Sequence, residues 1–229
     1  MEKTKTSVLS VVVLAVVAAL SWQTTALAIV PVLNFSPTND STIDQHSPAS
    51  NFGSSTQLGV RNRYGESGSD GWEDDTLVKF DLSSIASGTS VLGATLNLYY
   101  FGYWDNDPQG QSLTCYAITS VWDESTVTWN TQPTSAAGVT ATAIVPAGPN
   151  WMSWDVTADV QDMVDGSATY YGWKIMDETY WGDSTIPYTW FYSKEFGQLT
   201  PYLEVTIPEP ATLGLLLIGG LALLRHRRK

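Results

Sequence analysis

The sequence predicts an all-β domain, a sandwich or jelly roll with one short helix, set between an N-terminal signal peptide and a C-terminal transmembrane helix. Three observations predict it. Apolar and polar residues alternate in run after run, as in Ala94, Leu96, Leu98 and Tyr100 against Thr95, Asn97 and Tyr99. Clusters of Gly, Pro, Asn and Asp separate these runs at short intervals. Helical periodicity occurs once, after Thr157.

In chain order, residues 1–28 read as a signal peptide. Lys3 and Lys5 form the basic start, Val8 to Leu20 the apolar run, and Ala26-Leu27-Ala28 the small-x-small site, with Ala26 and Ala28 as the residues a signal peptidase reads. The domain follows at 29–207. Its strands are predicted at Leu58–Asn62, Thr76–Leu82, Ala94–Tyr100, Leu113–Ser120, Thr126–Asn130, Val139–Val145, Trp151–Val156, Gly172–Met176, Trp190–Ser193 and Leu203–Ile207. The helix opens at Thr157 as N-cap, buries Val160, Met163 and Val164, and ends at Gly166. Residues 208–229 form the tail: Pro208-Glu209-Pro210, the apolar stretch Ala211 to Leu224, then Arg225, His226, Arg227, Arg228 and Lys229. A basic cluster directly after an apolar helix stays cytoplasmic, which turns the domain outward.

Between the two ends, Ile29 to Pro208 carries five basic residues against 21 acidic ones, a net of −16. Such a charge repels nucleic-acid phosphates and excludes a nucleic-acid partner. Cys115 is the only cysteine, so the chain forms no intramolecular disulfide, and it reads as a small apolar strand residue. His46 is the only histidine left in the domain, which removes most imidazole catalysis and multi-histidine metal sites. Nothing pairs one carboxylate as acid against another as base. The sequence therefore predicts no enzyme. Nine of the ten tryptophans fall in this domain, as a Trp-rich core or a sugar-binding surface requires.

The tail, read as PEPATLGLLLIGGLALLRHRRK, resembles the PEP-CTERM sorting signal, with Ile207 where that signal has valine. The resemblance implies a Gram-negative host that makes exopolysaccharide. It also implies an exosortase-type transpeptidase and delivery to the cell surface, with the helix as a membrane anchor before processing. The runs TLVKFDLSSIASGTSVLGATLNLYY, VWDESTVTWNTQPT, WMSWDVTADVQDMVDG, YYGWKIMD and FYSKEFGQLTPYLEVTI, in that order, resemble the DNRLRE (disaggregatase-related) domain from about Asn51 to Ile207. That family implies a jelly-roll accessory domain on secreted polysaccharide-acting or surface proteins. Lys79 and Thr200 depart from it, standing where arginine is favoured.

Trp122, Trp129, Trp154 and Trp173 fall in the strongest family segments and read as buried packing anchors. Other aromatics fall in predicted polar loops: Tyr64 and Trp72, Tyr103 and Trp104, Tyr180 and Trp181. Flat rings among carboxylates and amides suit sugar binding, since the ring covers the C–H face of a pyranose and the polar groups bond its hydroxyls. The alternative is that the rings pack back onto the domain. Asp105, Asn106 and Asp107 are candidate calcium ligands, with Asp70, Glu73, Asp74 and Asp75 and with Asp40 and Asp44 as weaker ones. No cofactor is required, and structural calcium is the one candidate. The leading function is non-catalytic binding of an extracellular polysaccharide or cell-surface glycan. A structural or adhesive matrix role is the alternative, and a polysaccharide lyase or hydrolase the weakest reading.

Overall fold

A computed structural model describes residues 30–63, 72–179, 181 and 186–209. Ala26 and Ala28, Tyr64, Tyr180, Pro210 and the predicted transmembrane helix lie outside the described residues. Among the described residues, no helix is long and apolar enough to cross a membrane.

Eleven strands and one helix follow in order: β1 (Val32–Phe35), β2 (Pro37–Asp44), β3 (Gln57–Arg63), β4 (Trp72–Phe80), β5 (Gly93–Trp104), β6 (Ser112–Ala117), β7 (Ala141–Ile144), β8 (Asn150–Asp155), α1 (Thr157–Asp165), β9 (Trp173–Asp177), β10 (Tyr188–Tyr192) and β11 (Tyr202–Thr206). Pairing is antiparallel throughout, and the strands form a β-sandwich. In the first sheet β5 is central. One of its edges pairs with β8, and the other pairs with β11 through Gly93–Asn97 and then β10 through Tyr100–Trp104. In the second sheet β4 holds β2 on one edge and β3 and β9 on the other, with β6 and β7 beyond β9. β3 joins the sheets: Gln57–Val60 pairs with β10 and Arg61–Arg63 with β4.

Alternation decides which side chains enter the core. Leu96, Leu98 and Tyr100 of β5 meet Leu58, Val60, Val78, Leu113, Cys115 and Ile175 between the sheets. Trp154 and Trp173 are fully buried there. The Trp154 indole donates to the Leu113 carbonyl at 3.0 Å, and the Trp173 indole to Asp159 Oδ2 of α1 at 2.9 Å. The outer face of the second sheet is covered too: Ile43 and Leu77 pack under Ile118, Trp122 and Val127. The outer face of the first sheet carries no such cover among the described residues.

The structure corrects several expectations. Thr126–Asn130 is not a strand but a turn leading into a 3-10 turn, Trp129–Thr131, and Trp129 is half-buried against the second cluster. The hydroxyl and carbonyl bonds of Thr128 and Thr131 close on themselves there and offer no ladder to a neighbour. Trp72 begins β4, and Tyr103 and Trp104 end β5, so all three stand on strands and not in loops. Thr157 is the first helical residue, after Val156 as N-cap. Asp155 Oδ1 accepts its N–H at 3.0 Å and its hydroxyl at 2.6 Å, satisfying the helix start. Gly166 closes the helix at φ 72°, a left-handed conformation that favours glycine.

Trp154→Ala removes a fully buried indole from the centre of the sandwich. It is expected to cost ~3–5 kcal/mol, whereas Trp104→Ala, at an exposed strand end, should stay within about 0.5 kcal/mol. Denaturant unfolding of both variants checks the contrast.

Candidate functional site

The end of β3, the start of β4, the end of β5 and the start of β10 are brought together by pairing. Arg63 stands opposite Trp72, and Trp104 opposite Tyr188. At this end Arg61, almost fully buried, lies under three rings. Its guanidinium carbon is 4.6 Å from the Trp72 centroid and 5.5 Å from those of Trp104 and Tyr188. Asp105 Oδ2 adds an ion pair at 3.9 Å. The Trp72 indole donates to His46 Nδ1, and the two rings meet edge to face at 5.0 Å. That bond occupies the nitrogen a histidine base would use. Gly59 gives Tyr188 its place: a Cβ there would stand 2.2 Å from the Tyr188 ring.

From Tyr188 the rings continue across the uncovered face of the first sheet. Trp190 meets Tyr188 at 5.5 Å and Phe101 at 5.9 Å, and Phe101 stacks on Tyr192 at 4.4 Å. Tyr192 stacks on Phe196 at 3.9 Å and lies parallel to Tyr99 at 6.0 Å; Tyr99 meets Trp151, and Trp151 meets Tyr202. This is a continuous aromatic strip, half-buried along its length and ending at Trp104, which is 57% exposed. Along β5 it spans about 17 Å from Tyr99 to Trp104. A pairing irregularity at Trp190/Phe191 lets it continue, because it places both Phe101 and Gly102 on the outer side. The adjoining pocket, lined by Thr42, Asp44, Phe52, Leu58, Tyr188 and Trp190, holds about 120 Å³. Ligand-enclosing cavities start near ~300 Å³, so the geometry suits a ligand lying across the surface.

Of the six aromatics singled out from sequence, Trp72 and Trp104 converge at this end over Arg61, while Tyr103 pairs with the buried Thr189 and stands on the other face of β5. Trp181 is held apart, half-buried, its indole donating to Asp177 Oδ2 at 2.8 Å. Tyr64 and Tyr180 lie outside the described residues. Sequence reading missed Trp151, Tyr188, Trp190 and Tyr192. Their signal was present: every second residue of Tyr188–Tyr192 is aromatic, but Thr189 and Phe191 between them hid which face was apolar.

Asp105, Asn106 and Asp107 spend their oxygens locally. Asp105 faces Arg61, Asn106 Oδ1 accepts the Asp107 N–H at 3.0 Å, and Asp107 Oδ1 accepts the Gln109 N–H at 2.9 Å. A wider pocket beside α1, about 610 Å³, contains Asp155 and Asp159 but no aromatic ring. Asp155 accepts from Thr157, and Asp159 from Thr140 and Trp173. Three of the domain's five cations are in ion pairs: Arg61 with Asp105, Lys174 with Asp75 at 2.9 Å and Lys194 with Glu124 at 2.8 Å.

Asp74 stands directly between Asp44 and Arg61 in the register. Burial, then the Asp44 charge, push its carboxyl up to about 8, with Arg61 opposing. The folded chain thus keeps a proton that the unfolded chain has lost by about pH 4, and this contribution to stability falls as pH rises from about 4 to about 8. Asp74→Asn is expected to flatten the dependence of melting temperature on pH across that window and to raise the melting temperature at pH 8. Melts of both proteins at half-unit pH steps check it.

Residues 206–229 match the PEP-CTERM protein-sorting motif, which indicates export to the surface of a Gram-negative bacterium. Over 191 residues, 80% of the chain, it is 28% identical to the tRNA nuclease WapA of Bacillus subtilis (strain 168). The same figures hold for the tRNA(Glu)-specific nuclease WapA of Bacillus subtilis subsp. natto. The chain spans 8% of the length of these relatives. A family model for carbohydrate-binding modules covers residues 31–207, all eleven strands, and the chain belongs to carbohydrate-binding module family 96.

Proposed function

We propose that the domain is a non-catalytic cell-surface module that lays a polysaccharide chain across the aromatic strip of the first sheet, with Trp104, Trp190 and Tyr188 as the principal platforms. The observation that carries this reading is a continuous strip of rings on a sheet face that nothing covers among the described residues. Burying such rings against other apolar groups is favourable, and a soluble domain seldom leaves a patch of this size without use. Sugar rings match it: their C–H faces stack on indole and phenol, and Asp44, Asn150 and Gln57 at its margins offer acceptors and donors for hydroxyls.

An uncharged glycan is the substrate class favoured. The domain is strongly acidic, and three of its five cations are already ion-paired. An anionic polymer would meet net repulsion. Arg61 then acts as a positioning residue that holds the three rings around it, not as a counter-ion for ligand.

Affinity electrophoresis against neutral and uronic-acid polysaccharides tests the reading. Trp104→Ala and Trp190→Ala are each expected to weaken retention by a neutral polymer at least tenfold, with unchanged melting temperatures for Trp104→Ala and little salt dependence for the parent. Retention by neither class would favour the structural or adhesive matrix role, in which the rings only brace the sheet. Retention by uronic acids alone, lost as salt rises, would overturn the choice of ligand class.

The tail is proposed to bring the module to the outer surface, recognised by an exosortase-type enzyme while its apolar stretch holds it in the membrane. Deleting residues 208–229 is expected to move the domain from the cell envelope to the medium, read by fractionation and immunoblot. A truncated chain that stays with the envelope would remove the tail from this role.

A further inference from the structure

Away from the aromatic strip, three carboxylates from distant parts of the chain converge. Asp40 lies in β2, Glu124 in the segment that covers the second sheet, and Glu195 in the 3-10 turn Lys194–Phe196 after β10. One oxygen from each lies within 4.8 Å of the others. Calcium–oxygen distances are ~2.3–2.6 Å, so one ion at the centre reaches all three. An acidic cluster alone would be unremarkable on so acidic a surface, but this one is sealed. Asp40 is 1% exposed. Its Oδ2 accepts the Lys194 N–H at 2.8 Å, while its Oδ1, shut off from solvent, accepts no hydrogen bond. Glu195 Oε2 is in the same position. A buried carboxylate oxygen without a partner is costly.

The charges also fail to balance. Lys194 Nζ bonds Glu124 Oε2 at 2.8 Å and Glu195 Oε1, and it is the one cation at the cluster. With all three carboxylates ionised, it offsets one of three negative charges. Without an ion, burial and the Glu195 and Glu124 charges push Asp40 up to about 8, against the Lys194 N–H bond. The ligands are braced beforehand. Glu124 Oε1 accepts the Asp40 N–H at 2.7 Å, Asn51 Nδ2 donates to the Glu124 carbonyl at 2.7 Å, and Gly53 packs so close that a Cβ would stand 2.2 Å from that oxygen.

We propose that Asp40, Glu124 and Glu195 form a structural calcium site, taking a dehydrated or partly hydrated divalent cation against the two orphaned oxygens. The ion ties β2 to the cover of the second sheet and to the turn that presents Phe196 to Tyr192. It does not depend on any glycan reading. Hard oxygen ligands and a site built from three separate segments favour calcium over magnesium, which demands a tighter octahedron.

The test uses the full chain, purified with chelator and dialysed, in thermal melts and calorimetric titrations with calcium chloride at pH 7. The parent should show a saturable rise in melting temperature, with an apparent Kd of roughly 10⁻⁴–10⁻³ M, as in extracellular calcium modules, and a weaker response to magnesium. Asp40→Asn, which keeps the shape and removes the charge, should lose the calcium shift. Glu195→Gln, on a surface turn, should lose it as well and decides the question if the first variant misfolds. Asp105→Asn should respond as the parent does. No shift in the parent, or a shift that survives both Asp40→Asn and Glu195→Gln, overturns the proposal.

Discussion

The arrangement depends on β5. Twelve residues long, it is paired along both edges and supplies the core and the outer platform from one alternating run. Leu96, Leu98 and Tyr100 point inward and fix the register, since a slip of one residue would exchange faces and bury the polar set. With that register fixed, Tyr99 must stand beside Trp151, and Phe101 beside Tyr192. The irregularity opposite Trp190 then shifts parity, so the last turn of the strand delivers Trp104 to Tyr188 on the same side. The aromatic surface is thus a consequence of core packing and one local adjustment.

The two sheets solve the same problem in opposite ways. Each has an outer face that carries apolar side chains among polar ones. In the second sheet those side chains, Ile43 and Leu77, sit under Ile118, Trp122 and Val127, and the Trp122 indole is pinned by the Tyr171 carbonyl at 2.8 Å. In the first sheet the corresponding side chains are aromatic and lie open. Aliphatic residues gain only by exclusion from water, so they require a cover. Phenol and indole rings keep a polar edge, tolerate partial exposure, and stack on one another edge to face. The choice of residue type follows from which face has a lid.

This explains how far the sequence could be read. The class of fold, the strands of the central runs and the helix were legible, because alternation and turn residues are local signals. β1 and β2 were missed: Pro37–Asp44 is made of polar residues whose burial comes from pairing with β4, not from their own pattern. Thr126–Asn130 misled in the other direction, having strand-forming residues that bond to one another in a turn. At the site, Trp72 and Trp104 were legible as candidates but not as partners, because Arg61 unites them only after β3, β4, β5 and β10 pair. Trp190 and Tyr188 looked like any strand residues. Asp40 and Glu124 are 84 positions apart, and no spacing rule connects them.

The buried charges follow one logic that bears on why binding should be driven by rings. A domain with so few cations uses them inside: Lys174 reaches the wholly buried Asp75, Lys194 reaches Glu124, and Arg61 is enclosed by rings and Asp105. Lys174 in particular offsets the desolvated Asp75 carboxylate, which burial pushes upward as it does at Asp40 and Asp74. Cations so used are withdrawn from ligand recognition. The recognition proposed above therefore rests chiefly on shape and apolar area with hydrogen bonds at the margin, which suits a neutral sugar chain.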